Sequence, residues 1–427
     1  MINRPLPELV LAFCLMACCD WGFSQDTSTT SENWSRFRGP NGSGICTEHE
    51  LPTDLAVENA AWSVPLAGEG HSSPVIWGDR IWVTCYDKSA EQLRLDCFDK
   101  ATGASKWNWT MPLKTHPMHQ LNCPATSTPA VDEKHVYLLA AEPDHLYVIA
   151  IDHAGNEKWR RDYGAWIAQH GFGTSPIVCG GKVVFCNSQE SFRGMPAPGN
   201  SVAIAVNCVD GTDAWTADLA DDKACYSVPA IWADAEKRDW IIGSTVGDGV
   251  FSLDAKTGTM AWQEKAFKQR TVGSPVIIGD SVLANNGSGA GGNSLVKIDL
   301  SSENHPIQYQ LNYLIGYVPT VIALDNMLFM FNDNGIGSCL DLEDGSDKWR
   351  GRISDGFASS PVSDGRNIYC LSKNGSVFVI GASVQFKAVG QFPLGAPSQA
   401  TAAISAGRIY FRTQEKLWCF GPKKGAD

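Results

Sequence analysis

The chain has 427 residues, 46 acidic against 34 basic, a formal net charge of -12 and 44% hydrophobic side chains. That much apolar material supplies an ample core. An acidic balance with no basic stripe excludes a nucleic-acid partner, because phosphates demand clustered lysine and arginine.

The first residues predict a leader. Arg4 precedes an apolar run from Leu9 to Ala17, too short to span a bilayer but suited to a secretory signal. In the preferred reading residues 1–24 are a signal peptide, cut after Gly22-Phe23-Ser24. In the other, Leu15-Met16-Ala17-Cys18 is a loose lipobox, the leader ends at Ala17 and Cys18 carries the lipid. Either exit places the mature chain outside the cytoplasm, periplasmic, secreted or on the cell surface. A lipid anchor on Cys18 is the one membrane contact expected. Residues 25–33 are polar and read as a disordered tether. The segment Trp34 to Gly44 then combines aromatic and basic residues with a glycine-rich turn. It is expected to pack on the body of the fold and lead the chain towards Trp62, with a ligand loop as the alternative.

A unit of four short strands organises the rest. Ser73-Pro74 opens an apolar strand, Gly78-Asp79 turns it, Arg80 to Cys85 and Leu93 to Asp99 follow, and a turn at Gly103 leads to Trp107. The opening recurs at Thr128-Pro129, Ser175-Pro176, Val228-Pro229, Ser274-Pro275, Val318-Pro319 and Ser360-Pro361, and weakens to Thr401-Ala402. Third-strand aspartates recur at Asp152, Asp210, Asp254, Asp299 and Asp341, and fourth-strand tryptophans at Trp159, Trp215, Trp262 and Trp349. Self-similarity at roughly 40 to 50 residues marks a repeat architecture. Eight units are counted; the last stops near Gly421 without a fourth strand, while Trp62 stands unattached before the first. The expected fold is all-β: one eight-bladed β-propeller of four-stranded antiparallel blades over 34–421, closed by an N-terminal strand that completes the last blade, with 422–427 as a tail. Closure leaves only short, protected sheet edges.

Within the units, the spacing Asp99 to Gly103, Asp254 to Gly258 and Asp341 to Gly345 makes the aspartates turn formers rather than ligands. Asp248-Gly249, Asn334-Gly335 and Asn374-Gly375 join second to third strands and are dipeptides favoured by type I′ hairpins. Gly287, Gly289 and Gly292 have dinucleotide-loop spacing, but a strand follows them where that loop needs a helix. Of fourteen cysteines eleven follow Gln25, and Cys97, Cys208, Cys339 and Cys419 share one phase of the repeat. Other units carry Ala150 or Ser252 there, so the position takes a small buried residue. Free thiols are expected, with bridges such as Cys85 to Cys97 or Cys186 to Cys208 as the alternative.

Loops between blades share a face of the ring with the second-to-third hairpins, around the channel mouth. That face collects His71, His116, His119, Asn122 and His170, with Arg270 and Tyr317 further round. Gln189 and Arg193 lie in the long connection from Ser188 to Asn200. Three readings stay open: a metal site, a polar ligand pocket, or histidines bonded to loop backbone. The spacing His116-x-x-His119 on an irregular loop does not place both rings on one ion, so no metal ligand is assigned.

The unit of Ser-Ser-Pro-Val, a glycine turn, an apolar strand, Leu-x-x-Asp, Thr-Gly and Trp resembles the pyrroloquinoline-quinone-like repeat from about Trp62 to Gly421. Two branches of that family imply different functions. One is similar to the eight-bladed outer-membrane assembly lipoprotein, which binds partner protein through its loops and catalyses nothing. The quinoprotein dehydrogenases instead imply a quinone over a tryptophan floor, calcium on acidic and amide side chains, an aspartate base and a disulfide between adjacent cysteines. The only adjacent cysteines are Cys18-Cys19, in the leader, and no acid, amide and base set matches residue by residue. The expectation is a monomeric, exported, non-catalytic binding or scaffold propeller with no cofactor, whose ligand is a protein, a carbohydrate or a small molecule. A PQQ- and calcium-dependent oxidoreductase is the alternative. A hydrolase or lyase using His116, His119 or His170 as base lacks a nucleophile.

Overall fold

A computed structural model describes Met1 and residues 32–115, 118–191 and 194–422. The leader with Cys18, most of the expected tether, His116, Arg193 and residues 423–427 lie outside the described residues. None of the described helices is long and apolar enough to cross a membrane.

Eight four-stranded antiparallel sheets form the eight-bladed propeller. Second and third strands are buried on both faces, as in His135–Glu142, because blades stack face to face. Outer strands alternate, as in Ser105–Pro112, since one side meets water. The last blade, Ala403–Ser405, Arg408–Arg412 and Lys416–Phe420, takes its fourth strand from Trp62–Pro65, with Trp62 opposite Cys419 and Pro65 opposite Lys416. The ring is closed by non-consecutive chain.

The recurring tryptophan stitches neighbouring blades. Trp107 Nε1 donates to His153 O at 3.0 Å, Trp159 to Cys208 O at 3.0 Å and Trp215 to Ala255 O at 3.1 Å, each in the turn of the following blade. Trp62 does the same to Lys100 O at 3.3 Å, so it occupies the phase of a last-blade tryptophan. Tyr309 takes this role in the fifth blade, donating to Leu342 O. The turn glycine beneath the ring has no room for a side chain: a Cβ on Gly211 would lie 2.6 Å from Trp159, and its φ of +71° suits glycine alone. The aspartates are turn formers, as the phase predicts. Asp254 accepts the Lys256 and Thr257 N–H groups, both at 2.8 Å. At Asp210 the Thr212 N–H holds the carboxyl below its ordinary range.

Two local expectations change. Asp248, Asn334 and Asn374 do not take positive φ, and Gly335 N donates to Asn332 O, so this connection is a type I turn ending in a left-handed glycine rather than type I′. The sixth unit also begins two residues after Val318-Pro319, at Thr320. The inner strands are tied by hydroxyls: Ser73 N donates to Thr128 Oγ1, Thr128 N to Ser175 Oγ, Val228 N to Ser274 Oγ and Ser274 N to Thr320 Oγ1. Thr320 N, Ser360 N and Thr401 N continue to Ser360, Thr401 and Ser73. Proline at 319 therefore precedes the strand instead of marking it. The ring of hydroxyls breaks at Val228. Val228→Thr is expected to supply an acceptor for the Ser175 N–H and stabilise the fold by about 1 kcal/mol, while Thr320→Val costs a similar amount. Urea unfolding midpoints of the two variants check the opposite signs.

The eleven described cysteines are buried and none of them forms a disulfide. Strand register explains why the bridges considered do not form: Cys85 faces Arg94 while Cys97 faces Trp82, and Cys186 faces Ala203.

The segment before the closing strand packs on the ring and crosses the channel. Trp34 exchanges two backbone hydrogen bonds with Ile76 of the first blade, Ser35 O accepts from Val131 of the second, and Gly44 and Cys46 pair with Ser363 of the seventh. The Asn41 amide caps Ile231 of the fourth blade, accepting from its N–H at 2.7 Å and donating to its carbonyl at 2.6 Å. Arg36 donates to Pro229 O and Arg38 to Pro361 O, both guanidinium groups being buried. Burial pulls the pKa of each down to about 9. These partners sit one to three residues along the inner strands from the hydroxyl ring, roughly 3–10 Å deeper. The segment is the channel floor.

Candidate functional site

Ring and floor together enclose a cup of about 850 Å³, within the range of roughly 300–1,000 Å³ typical of small-molecule sites. Phe37 faces it from the floor. The hydroxyl ring supplies the lower wall. The position two residues before each hydroxyl supplies the next tier: polar at His71, Thr126, Tyr226 and Gln399, small or apolar at Gly173, Val272, Val318 and Ala358. One repeat phase thus contributes a side chain per blade.

Above these tiers the inter-blade loops and the second-to-third connections add charge. Glu190 and Arg270 form an ion pair at 3.1 Å with both side chains about nine-tenths buried (10% and 9% exposed). Glu190 also accepts from the Gln169 and Ala224 backbone. Opposite charges confined this way offset part of each other's cost of burial. Across the cup, Asp333 accepts the Tyr317 N–H at 2.5 Å and the Val318 N–H at 3.3 Å, and Lys373 Nζ donates to Asp333 O at 2.9 Å. Burial raises the Asp333 carboxyl, and the Tyr317 N–H opposes the rise.

Of the residues expected at the mouth, His71, His119, Asn122, His170, Arg270 and Tyr317 line this one cup. His119 and His170 meet edge-on with ring centroids 5.5 Å apart. His119 Nδ1 accepts the Leu121 N–H, and Asn122 Nδ2 donates to the carbonyls of His170 and Phe172. Asn122 therefore braces two loops together. Gln189 does not reach the cup; it is buried against Asn187 and Ser201, and its neighbour Glu190 faces the cavity instead. Consecutive residues of an extended segment point to opposite sides. His116 and Arg193 lie outside the described residues. Sequence reasoning missed Glu190, Tyr226, Asp333, Lys373 and Phe37.

Burial, then the Arg412 charge, lowers the His71 pKa to about 4; burial and Arg270 also lower His170. The unfolded chain takes up a proton near pH 6.5 while folded His71 resists it, so this stability is present above pH 6.5 and is lost as pH falls towards 4. Asp221, raised to about 6 by burial, acts with the opposite sign between that value and about 3.8. His71→Gln is expected to flatten the fall in thermal midpoint between pH 7 and 4.5, and an unchanged slope contradicts the assignment.

Among the described residues no three histidine, cysteine, aspartate or glutamate side chains converge as a metal set. A quinone with calcium needs carboxylate and amide oxygens free for the ion and a flat indole beneath the ring system. Glu190 and Asp333 already accept backbone N–H groups, Asn122 Oδ1 accepts the Cys123 N–H and Asn293 Oδ1 the Ser288 N–H, and among the described residues the Phe and Tyr side chains lining the cup are Phe37, Tyr226 and Tyr317. Among the described residues that line the cup there is no indole.

The profile of the outer membrane protein assembly factor BamB matches residues 94–351 and 200–427. A comparison with curated proteins finds no match. Among solved structures, BamB from Moraxella catarrhalis superposes with TM-score 0.62 at 13% identity, over 86% of this chain and 98% of that one. A europium-containing methanol dehydrogenase reaches TM-score 0.70 at 11% identity, over 92% and 98%. The computationally designed Ika8 protein reaches 0.61 at 9% identity, over 84% and 98%. At these identities such likeness shows the fold alone. The profile spans most of the chain, and the chain belongs to the family of the outer membrane protein assembly factor BamB.

Proposed function

We propose that this chain is an exported, non-catalytic binding propeller that takes a polar ligand, free or presented by a partner protein, into the cup. The observation that carries the reading is the closed floor. A segment anchored on the first, second, fourth and seventh blades turns the channel into a one-ended site lined by hydrogen-bonding groups. The family description, an assembly factor for outer membrane proteins, supports binding as the activity and the cell envelope as its place. The leader from Arg4 to Ser24 supports export.

The test is a thermal-shift screen of the full chain with sugars, sugar acids, amino acids, dipeptides and organic acids, repeated on Gln399→Trp, whose larger side chain narrows the cup from the eighth blade. A ligand selective for the folded state must raise its midpoint. Stabilisation by at least one compound, abolished by Gln399→Trp, is expected. Equal shifts in both proteins, or none in either, refute the reading. Quinone-dependent dye reduction after incubation with pyrroloquinoline quinone and calcium would replace it with the oxidoreductase.

A further inference from the structure

Most polar atoms on the cup wall already have protein partners. Three buried atoms in lining residues do not: His71 Nδ1, Tyr226 Oη and Arg270 Nη1. Arg270 is only 8% exposed, and its other terminal nitrogen, Nη2, is taken by Glu190. A buried donor left unpaired costs about 1–3 kcal/mol, so such groups are rare and call for a partner that is not protein. Tyr226 lies within the field of Arg270, and burial raises its phenol while the guanidinium opposes the rise. The phenol therefore stays protonated and offers an O–H beside an N–H. Two unpartnered donors on side chains that line one wall, one of them cationic, match an oxyanion.

Charge selects its class. The ionisable groups lining the cup are Lys223, Arg270 and Lys373 against Glu190 and Asp333, three cations to two anions with histidine neutral, or +1. The chain as a whole carries -12. One negative charge balances this wall. A dianion would set its second charge against Glu190 and Asp333.

We propose that the Arg270 side of the cup seats the carboxylate of a small organic monoanion, one oxygen on Arg270 Nη1 and the other on the Tyr226 hydroxyl. The assignment rests on the cup being a binding site and names what it recognises. Glu190 is a positioning residue, fixing the guanidinium so that Nη1 turns to the ligand.

The test is ligand-observed NMR titration of the full chain with lactate, benzoate and glucuronate, each against its primary amide, and with inorganic phosphate. At least one carboxylate is expected to bind at least tenfold more tightly than its amide and to resist displacement by phosphate. Tyr226→Phe removes only the unpartnered hydroxyl, so it should weaken that carboxylate about tenfold without lowering the thermal midpoint. A merely structural hydroxyl would leave affinity unmoved. Amides binding as well as acids, phosphate competing effectively, no binding by any acid, or an unchanged affinity in Tyr226→Phe each overturn the proposal. If neutral sugars bind and Gln399→Trp blocks them, the cup reading survives while the carboxylate assignment fails.

Discussion

A chain starting at Ala67 is expected to give no cooperatively folded monomer. The truncation removes the fourth strand of the last blade and the channel floor together. Trp34, Cys46, Leu51 and Leu55 are buried in the core shared by the first, seventh and eighth blades, and Trp62, Val64 and Leu66 pack against it. At about 1.5–3 kcal/mol for each large side chain fully buried, their loss is comparable with the roughly 5–15 kcal/mol that holds a typical domain folded. It also bares the edge of Lys416–Phe420, which Trp62–Pro65 otherwise covers, and an unprotected edge strand pairs with other chains. Size-exclusion chromatography should show aggregate. A monomer that melts cooperatively within a few degrees of the full chain would show that the N-terminal strand is dispensable.

Arg412→Ala is expected to destabilise by about 3–5 kcal/mol, because a single buried guanidinium fastens the last blade to the first. Arg412 is fully buried, and its Nη1 donates to Ser72 O at 3.0 Å, Ser72 Oγ at 2.6 Å and Thr84 O at 2.7 Å, while Nη2 reaches Cys85 Sγ at 3.4 Å. Each charge-assisted bond contributes about 1.5–3 kcal/mol, and the stranded carbonyls lose their partner. Gly70 is part of the same joint, since a Cβ there would lie 2.0 Å from Arg412 Nη2. Gly70→Ala should therefore destabilise too. In the double variant the added methyl enters space that the guanidinium has left, so the combined loss is expected to fall short of the sum. Strictly additive urea midpoints would remove Arg412 from the seam.

Much of the architecture was legible because its signals are local and repeated. Tryptophan over a turn glycine, aspartate on two backbone N–H groups and a hydroxyl before the inner strand recur in phase, and Trp62 betrays ring closure by carrying the phase of a missing strand. The floor was less legible. Arg36 and Arg38 bond to backbone carbonyls of distant blades, and no side-chain pattern at 229 or 361 distinguishes a carbonyl that receives an arginine. Gln189 was misplaced because one residue of offset in an extended loop exchanges cavity for core. Tyr226 and Gln399 had a signal: each stands two residues before the inner-strand hydroxyl position, where His71 also stands. Asp333 and Lys373 share one phase as well, each two residues before a turn glycine, whereas Glu190 sits in a long connection whose conformation the repeat does not dictate.

Native mass spectrometry of the full chain isolated from its own host, beside Gln399→Trp prepared identically, tests most directly whether the closed cup holds a ligand. A small organic adduct on the natural protein, missing from the narrowed variant, is the predicted result. Two ligand-free masses, or the same adduct on both, would contradict it.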